Sequence, residues 1–211
     1  KLCTNNTDKA KGSAMSDPMI EDSVQRLFAQ EVDKGLIERA EHGAFPARLW
    51  QLVCDNGFAS LMAREADGGI EADWDTCFAL LTALGQHQVP LPVAETCIAT
   101  GLLSAARIAL PQADPTPIAL IGEAQGQLLQ RNGPNNLRLS GSVHSVQWAR
   151  WASHLLIGLG QGELALVARD ASGLQLTPGN EPSRMPVDTV RLADTPVLAV
   201  FANPWPDLRW P

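Results

Sequence analysis

Apolar residues recur at helical spacing through the first half of this chain and in short, turn-bounded runs through the second. Ile20, Val24, Leu27 and Phe28 mark a first helix, with Asp17 placed to cap it and Pro18 in its first turn. A short helical piece follows around Leu36 to Ala40. Phe45, Leu49, Leu52 and Val53 then repeat the pattern, with Pro46 near the start and Asn56-Gly57 as a left-handed stop. Trp74, Cys77, Phe78, Leu81 and Leu84 read as one apolar stripe halted at Gly85. A last helix from Val93 to about Leu110 carries small residues all round (Ala94, Ala99, Gly101, Ala105, Ala106), which predicts close packing on several sides.

The character changes near Pro111. The segment 110–117 holds three prolines in eight residues, and no helix continues through it, because proline removes a backbone donor and restricts its predecessor. Beyond it, eight short strand candidates lie at 118–121, 127–130, 137–139, 154–157, 164–167, 174–176, 189–192 and 197–201, divided by Gly, Asn and Pro turns. The predicted fold class is therefore multi-domain α and β. An N-terminal all-α helical domain (15–110) and a Pro-rich linker (111–117) lead to a small antiparallel β-barrel or sandwich (118–202), then an irregular tail (203–211). In that tail Trp205 and Trp210 are expected to rest against a covering bundle or a partner. Residues 1–14 are polar and aperiodic and read as a disordered tail or cloning remnant, with Met15 as the natural start.

Composition narrows the function classes. The chain is 45% hydrophobic and 18% charged, which is ordinary globular composition. Sixteen basic and twenty-three acidic residues give a net charge of -7 with no basic patch, so nucleic acid is not an expected partner. No apolar run is long enough to cross a bilayer and no secretory pattern opens the chain, so no membrane partner is expected and the expected location is the cytoplasm. Cys3, Cys54, Cys77 and Cys97 are widely spaced and read as reduced thiols, buried where they fall in helices. The four histidines have no ligand-like spacing, so no metal is expected.

Two motifs invite chemistry. Gly158-Leu159-Gly160-Gln161-Gly162 has the glycine spacing of a phosphate loop, but Glu163 to Val167 after it is strand-like, so it is read as a hairpin turn. Trp148 and Trp151 flank Arg150 and offer either a stacking platform or, more commonly for large aromatics at this spacing, a core or subunit contact. The carboxylates of Glu65 and Asp67 read as part of a solvated turn, and Glu95 as an acid favourable to the dipole at the start of the last helix.

Taken in order, several segments resemble the flavin-dependent acyl-CoA dehydrogenases. Gly57-Phe58-Ala59-Ser60-Leu61 and Glu65-Ala66-Asp67-Gly68-Gly69 resemble the family's "GF..L..P...GG" segment, followed by Leu84-Gly85 and the start Pro90-Leu91-Pro92-Val93-Ala94-Glu95. Ile118 to Ala124 is similar to the strand entering "TEP", keeping the acid Glu123 but with Gly122 in place of the threonine. Leu139-Ser140-Gly141 resembles the family's "L-N-G" turn. Val143 to Val146, Ala149, Ala152, Leu155-Leu156-Ile157, Leu164 to Val167 and Gly173-Leu174 resemble the strands that succeed it. The family's "W-I-T/S" reads Ser145-Val146-Gln147 here.

The resemblance runs from about Met15 to the C-terminus, and the order of the motifs carries it. It implies a helical domain, a β domain and a further four-helix bundle, with FAD held between the last two. It also implies oxidation of a fatty or sterol-side-chain acyl-CoA to the α,β-unsaturated thioester by a glutamate base and hydride transfer to the flavin. The resemblance places flavin contacts at Ile121, Glu123 and Val146. It places no catalytic residue within this segment, whose end at Pro211 falls where the bundle is expected to begin. It further implies assembly as a homo- or hetero-oligomer with dehydrogenase subunits, this chain alone being inactive. Two alternatives stand beside it: a non-catalytic, flavin-free subunit partnering an active dehydrogenase, and a helical-plus-barrel binding module.

Overall fold

The computed structural model of the protein describes residues 18–109, 116–122, 130–132, 137–179 and 184–205. Five α-helices come first: α1 (Pro18–Glu31), α2 (Lys34–Glu41), α3 (Ala47–Asp55), α4 (Trp74–Gln86) and α5 (Val93–Ala105). Eight strands follow: β1 (Ile118–Ile121), β2 (Gln130–Asn132), β3 (Arg138–Gln147), β4 (His154–Gly160), β5 (Glu163–Ala168), β6 (Leu174–Gly179), β7 (Val187–Pro196) and β8 (Ala199–Ala202).

Local chemistry sets the helix starts. The Asp33 side chain accepts from Leu36 N at 2.6 Å and Asp73 accepts from Thr76 N at 2.9 Å, each satisfying an orphan donor of the helix it precedes. Gly57, at φ 73, takes the left-handed position after α3, as its Asn-Gly sequence predicts. The cap expected from Asp17 falls outside the described residues.

Two helical expectations need correction. In α4 the buried residues are Thr76, Cys77, Leu80 and Ala83, whereas Trp74 is 45% and Phe78 69% exposed, and the helix runs through Gly85 to Gln86. α4 lies against α1 and α5, and small Cys and Ala side chains let the helices approach where an indole or phenyl ring would hold them apart. The last helix stops at Ala105 rather than near Leu110. Arg107 adopts φ 58, Arg107 N donates to Ser104 O and Ile108 N to Leu103 O, which is a Schellman closure built on arginine instead of glycine.

The β half is a sandwich of two four-stranded sheets, in the orders β1-β4-β5-β8 and β2-β3-β7-β6, and not a closed barrel. One pairing departs from the antiparallel expectation: β1 runs parallel to β4, with Ile118 opposite His154 and Ile121 opposite Ile157. The chain leaves the first sheet after β1, forms β2 and β3 in the second, and re-enters the first alongside β1. Gly158 to Gly162 is the expected hairpin; Gln161 and Gly162, at φ 55 and 73, turn β4 back on β5.

Sheet β1-β4-β5-β8 is buried on both faces. Leu155, Ile157, Ala165 and Val167 point into the sandwich core, while Ile118, Leu156, Leu164 and Leu166 pack against Ala99, Leu102 and Leu103 of α5. Strand side chains alternate between faces, so a strand covered twice reads as an unbroken apolar run. α5 thus belongs to two cores at once, which is why small residues surround it. A Cβ on Gly101 would lie 2.6 Å from Trp205 Cη2 and 2.7 Å from Met62 Cβ.

Trp205 itself corrects a further expectation. Instead of awaiting a covering domain or partner, it rests on α5 and meets Trp74 edge-on at 6.0 Å, so the chain's own helices cover it. Trp210 lies outside the described residues.

Candidate functional site

The first candidate site is the end of β1 and the bulge in β3. The β3–β7 register slips between Val143 and Val146, and Ser145 takes φ 55 at the slip. Such a bulge re-aims successive side chains: His144, Ser145 and Gln147 face solvent, while Val146 turns inward. Ile121 and Val146 are both buried, in the same core cluster between the sheets. The structure therefore brings these two predicted positions together, but their side chains fill the sandwich core and leave only main-chain groups to meet a ligand. Glu123, the third, lies outside the described residues.

A flavin ring needs a flat apolar or aromatic face and polar groups at its rim. At this bulge the outward side chains are His144, bonded to Thr189 Oγ1 at 3.1 Å, with Ser145 and Gln147. None is an aromatic carbocycle, and glycine stands at position 122. The side chains here do not fit a flavin ring; main-chain contact at Ile121 and Val146 is what the fold leaves.

The second candidate lies at the seam between the helices and the sandwich, just past the bulge. Trp148, at φ 64, leads the turn 148–151 that carries the chain from β3 to β4. Its Nε1 donates to Glu95 Oε1 at 3.0 Å across the seam, and its ring lies 5.6 Å from Trp151, which meets Phe45 edge-on at 5.2 Å. Of the two readings of the paired tryptophans, the structure supports the core contact, since Trp148 is only 8% exposed. Arg150 between them grips Asp188, whose side chain is fully buried. Arg150 N donates to Asp188 Oδ2 at 2.8 Å, Nε to Oδ1 at 2.9 Å and Nη2 to Val187 O at 2.9 Å. These contacts fix the turn and, through it, the bulge. A cleft of about 430 Å³ opens beside them, between Glu41, His42, Arg150 and Arg184.

The pairing of Arg150 with Asp188 had no sequence signal, because the partners are far apart in the chain. Glu95 was visible only as an N-terminal acid of its helix, and its burial under Trp148 was not. Burial raises the Glu95 carboxyl above its ordinary pKa, with the Trp148 bond opposing. Burial also lowers His154, whose Nδ1 lies 2.8 Å from Ser153 Oγ, with Asp170 opposing. On the 65–69 turn, hydrogen bonds from Ser104 and Arg64 hold Asp67 below the usual carboxylate range. Gly69 there is forced, since a Cβ would sit 2.1 Å from Ala63 O. Among the described residues no cluster of His, Cys, Asp and Glu is arranged to hold a metal ion.

The two buried groups give opposite pH dependences. His154 folds with a depressed pKa, so the unfolded chain binds more protons and stability falls as pH drops through about 6.5, the unfolded value. Glu95 folds with a raised pKa, so its contribution is fully present below the unfolded carboxylate value of 4.5 and lost as pH rises through the folded one. Thermal midpoints measured against pH are expected to show His154→Asn flattening the acid fall near 6.5, and Glu95→Gln flattening the loss above 4.5.

Comparison with known proteins places this geometry. Residues 16–109 match the family model "Acyl-CoA dehydrogenase, N-terminal domain". No curated protein sequence matches. A variant of the Tcur3481-Tcur3483 steroid ACAD has the same fold at TM-score 0.76 and 22% identity, over 90% of this chain and 57% of that one. The ChsE4-ChsE5 complex from Mycobacterium tuberculosis follows at TM-score 0.71 and 20% identity, over 85% and 54%. An acyl-CoA dehydrogenase complexed with FAD from Bacillus anthracis gives 0.62 and 16%, over 85% and 36%. The chain thus spans little more than half, or less, of the solved structures it matches. None of its described helices is long and apolar enough to cross a membrane.

Proposed function

We propose that this chain, whose helical domain matches the N-terminal model of the acyl-CoA dehydrogenases, belongs to that family and works in the cytoplasm as the helical and β portion of a flavin-dependent dehydrogenase. Its substrate class is a fatty or sterol-side-chain acyl-CoA, into which the assembly introduces an α,β double bond. The observation that carries this reading is the α5 seam: a domain matched to the family's N-terminal model is packed on a two-sheet sandwich through a shared core. The steroid enzyme and the two-component complex among the structural relatives support the substrate class and a hetero-oligomeric assembly.

The flavin, when bound, supplies the redox chemistry. In this reading the chain offers it only the main chain at Ile121 and Val146, together with Glu123, and the remaining contacts and the proton-abstracting base come from elsewhere in the assembly. The side chains at the bulge favour a second reading. With Ser145 and Gln147 outward and glycine at 122, the chain serves as a flavin-free subunit that completes an active partner. Isolation of the tagged chain with its native assembly tests both. Flavin reduced by acyl-CoA supports the dehydrogenase; flavin bound only to the other subunit selects the second reading. A colourless assembly inert to acyl-CoA contradicts both.

A further inference from the structure

Side chains from three separate stretches of chain meet in the cleft of about 430 Å³ beside Arg150. Glu41 and His42 come from the end of α2, Arg150 from the turn after β3, and Arg184, Met185 and Pro186 from the approach to β7. Among the described residues, two guanidinium groups stand there against one carboxylate. Asp188, the other acid nearby, is wholly buried beneath Arg150 and offers no surface to the cleft.

The two arginines are held differently, and the difference suits capture of a ligand. Arg150 is fixed: Nε donates to Asp188 Oδ1 at 2.9 Å and Nη2 to Val187 O at 2.9 Å, yet 29% of its side chain stays exposed. Among the described residues those bonds leave Nη1 over, so the cleft meets the edge of a guanidinium whose rotamer entropy is already lost in folding. Arg184 is held loosely. It is 70% exposed and donates from Nη1 to Glu41 Oε2 at 3.2 Å, a solvent-open pair of the kind that contributes little to stability. Its φ of 57 is uncommon for a residue other than glycine, and such conformations gather at ligand clamps. His42 donates from Nδ1 to Glu38 O at 2.6 Å, which leaves Nε2 as the ring nitrogen available to a ligand.

We propose that this cleft binds a phosphate group, free or esterified, between Arg150 Nη1 and the Arg184 guanidinium, with His42 Nε2 at its rim. Direction decides for phosphate over carboxylate. A carboxylate is planar and is satisfied by one guanidinium fork, whereas the tetrahedral oxygens of phosphate accept from donors on several sides at once. The cleft is roomier than one phosphate requires, and Met185 and Pro186 give it an apolar wall for an attached organic group. On binding, Arg184 leaves Glu41 for the ligand. The Glu41 carboxylate then becomes a repulsive neighbour, so its removal strengthens the site.

The test is calorimetric titration of the full chain at low salt with inorganic phosphate, phenyl phosphate and benzoate. Both phosphates are expected to bind saturably and benzoate more weakly. Tighter binding of phenyl phosphate than of inorganic phosphate marks an esterified ligand, and equal affinity marks free phosphate. Arg184→Ala is expected to weaken phosphate binding about tenfold or more. Arg184→Lys, which keeps the charge and loses the fork, weakens it less, and Glu41→Gln strengthens it. Arg150 is left in place, because it holds Asp188. Arg48→Ala removes an arginine that is 84% exposed outside the cleft and is expected to leave the affinity unchanged. Absence of saturable binding by either phosphate overturns the site. So does benzoate binding as tightly as phenyl phosphate, or the same affinity in Arg184→Ala as in Arg48→Ala. Neither flavin nor acyl-CoA enters this test, so its outcome is separate from the dehydrogenase reading.

Discussion

Replacing Arg150 by methionine is expected to cost about 3–5 kcal/mol of stability, measured by urea or thermal unfolding. Asp188 has a fully buried side chain, and its carboxylate is held by the guanidinium at 2.8 Å and by the main-chain N–H of residue 150 at 2.8 Å. Methionine keeps the N–H and much of the volume but removes the charge, leaving a buried carboxylate without its counterion. The loss is therefore the penalty of an orphaned buried charge rather than the worth of a contact. Surface pairs such as Lys34 with Glu38, open to solvent on both sides, are expected to change stability by well under 1 kcal/mol when broken. Because Arg150 also fixes the turn after the bulge, the variant is expected to loosen the main chain at Val146, read as faster amide exchange there.

Replacing Leu102 by alanine is expected to cost about 2–5 kcal/mol, and to do so in both halves together. Leu102 is wholly buried among Ile118, Leu156 and Leu164, so its loss opens a cavity between α5 and the sheet rather than within either. If the halves form one cooperative unit, helical ellipticity and tryptophan fluorescence are expected to report a single, shifted transition. Two separated transitions, with only the helical one displaced, would show that the shared core does not couple them.

Much of this arrangement was legible in the sequence, for reasons that can be named. Strong local signals governed what could be read: Gly57 as a left-handed stop and Gly158 to Gly162 as a hairpin turn. Seven of the eight strands overlap the short, turn-bounded runs expected for them, whereas β2 is polar and shares only Gln130 with the expected 127–130, the rest of which lies outside the described residues. What local pattern could not supply was which face meets what. Of the stripe Trp74, Cys77, Phe78, Leu81 and Leu84 only Cys77 is buried, and the face that meets the neighbouring helices is completed by Thr76, Leu80 and Ala83. α5 ends early because Arg107 accepts a left-handed conformation that composition assigns to glycine. The run Leu155-Leu156-Ile157 could not declare that its middle residue faces a helix, nor could β1 announce that it runs parallel to a strand some 36 positions away.

The surroundings of the candidate site were less legible than the elements that carry it. Ile121 and Val146 share one core cluster, and the bulge turns Val146 into that core and exposes Ser145 and Gln147. The contacts that anchor this region, Glu95 with Trp148 and Arg150 with Asp188, join residues 53 and 38 positions apart. No spacing rule reaches that far. They emerge only when the seam is built.

The measurement that bears most directly on the function is an anaerobic acyl-CoA titration of the assembly purified on this chain. The account predicts that the flavin's visible absorbance bleaches on adding a fatty or sterol-side-chain acyl-CoA, and that the unsaturated thioester appears in equal amount. An assembly that carries flavin but keeps its colour through the titration, or one that carries none and leaves the thioester unchanged, would contradict it.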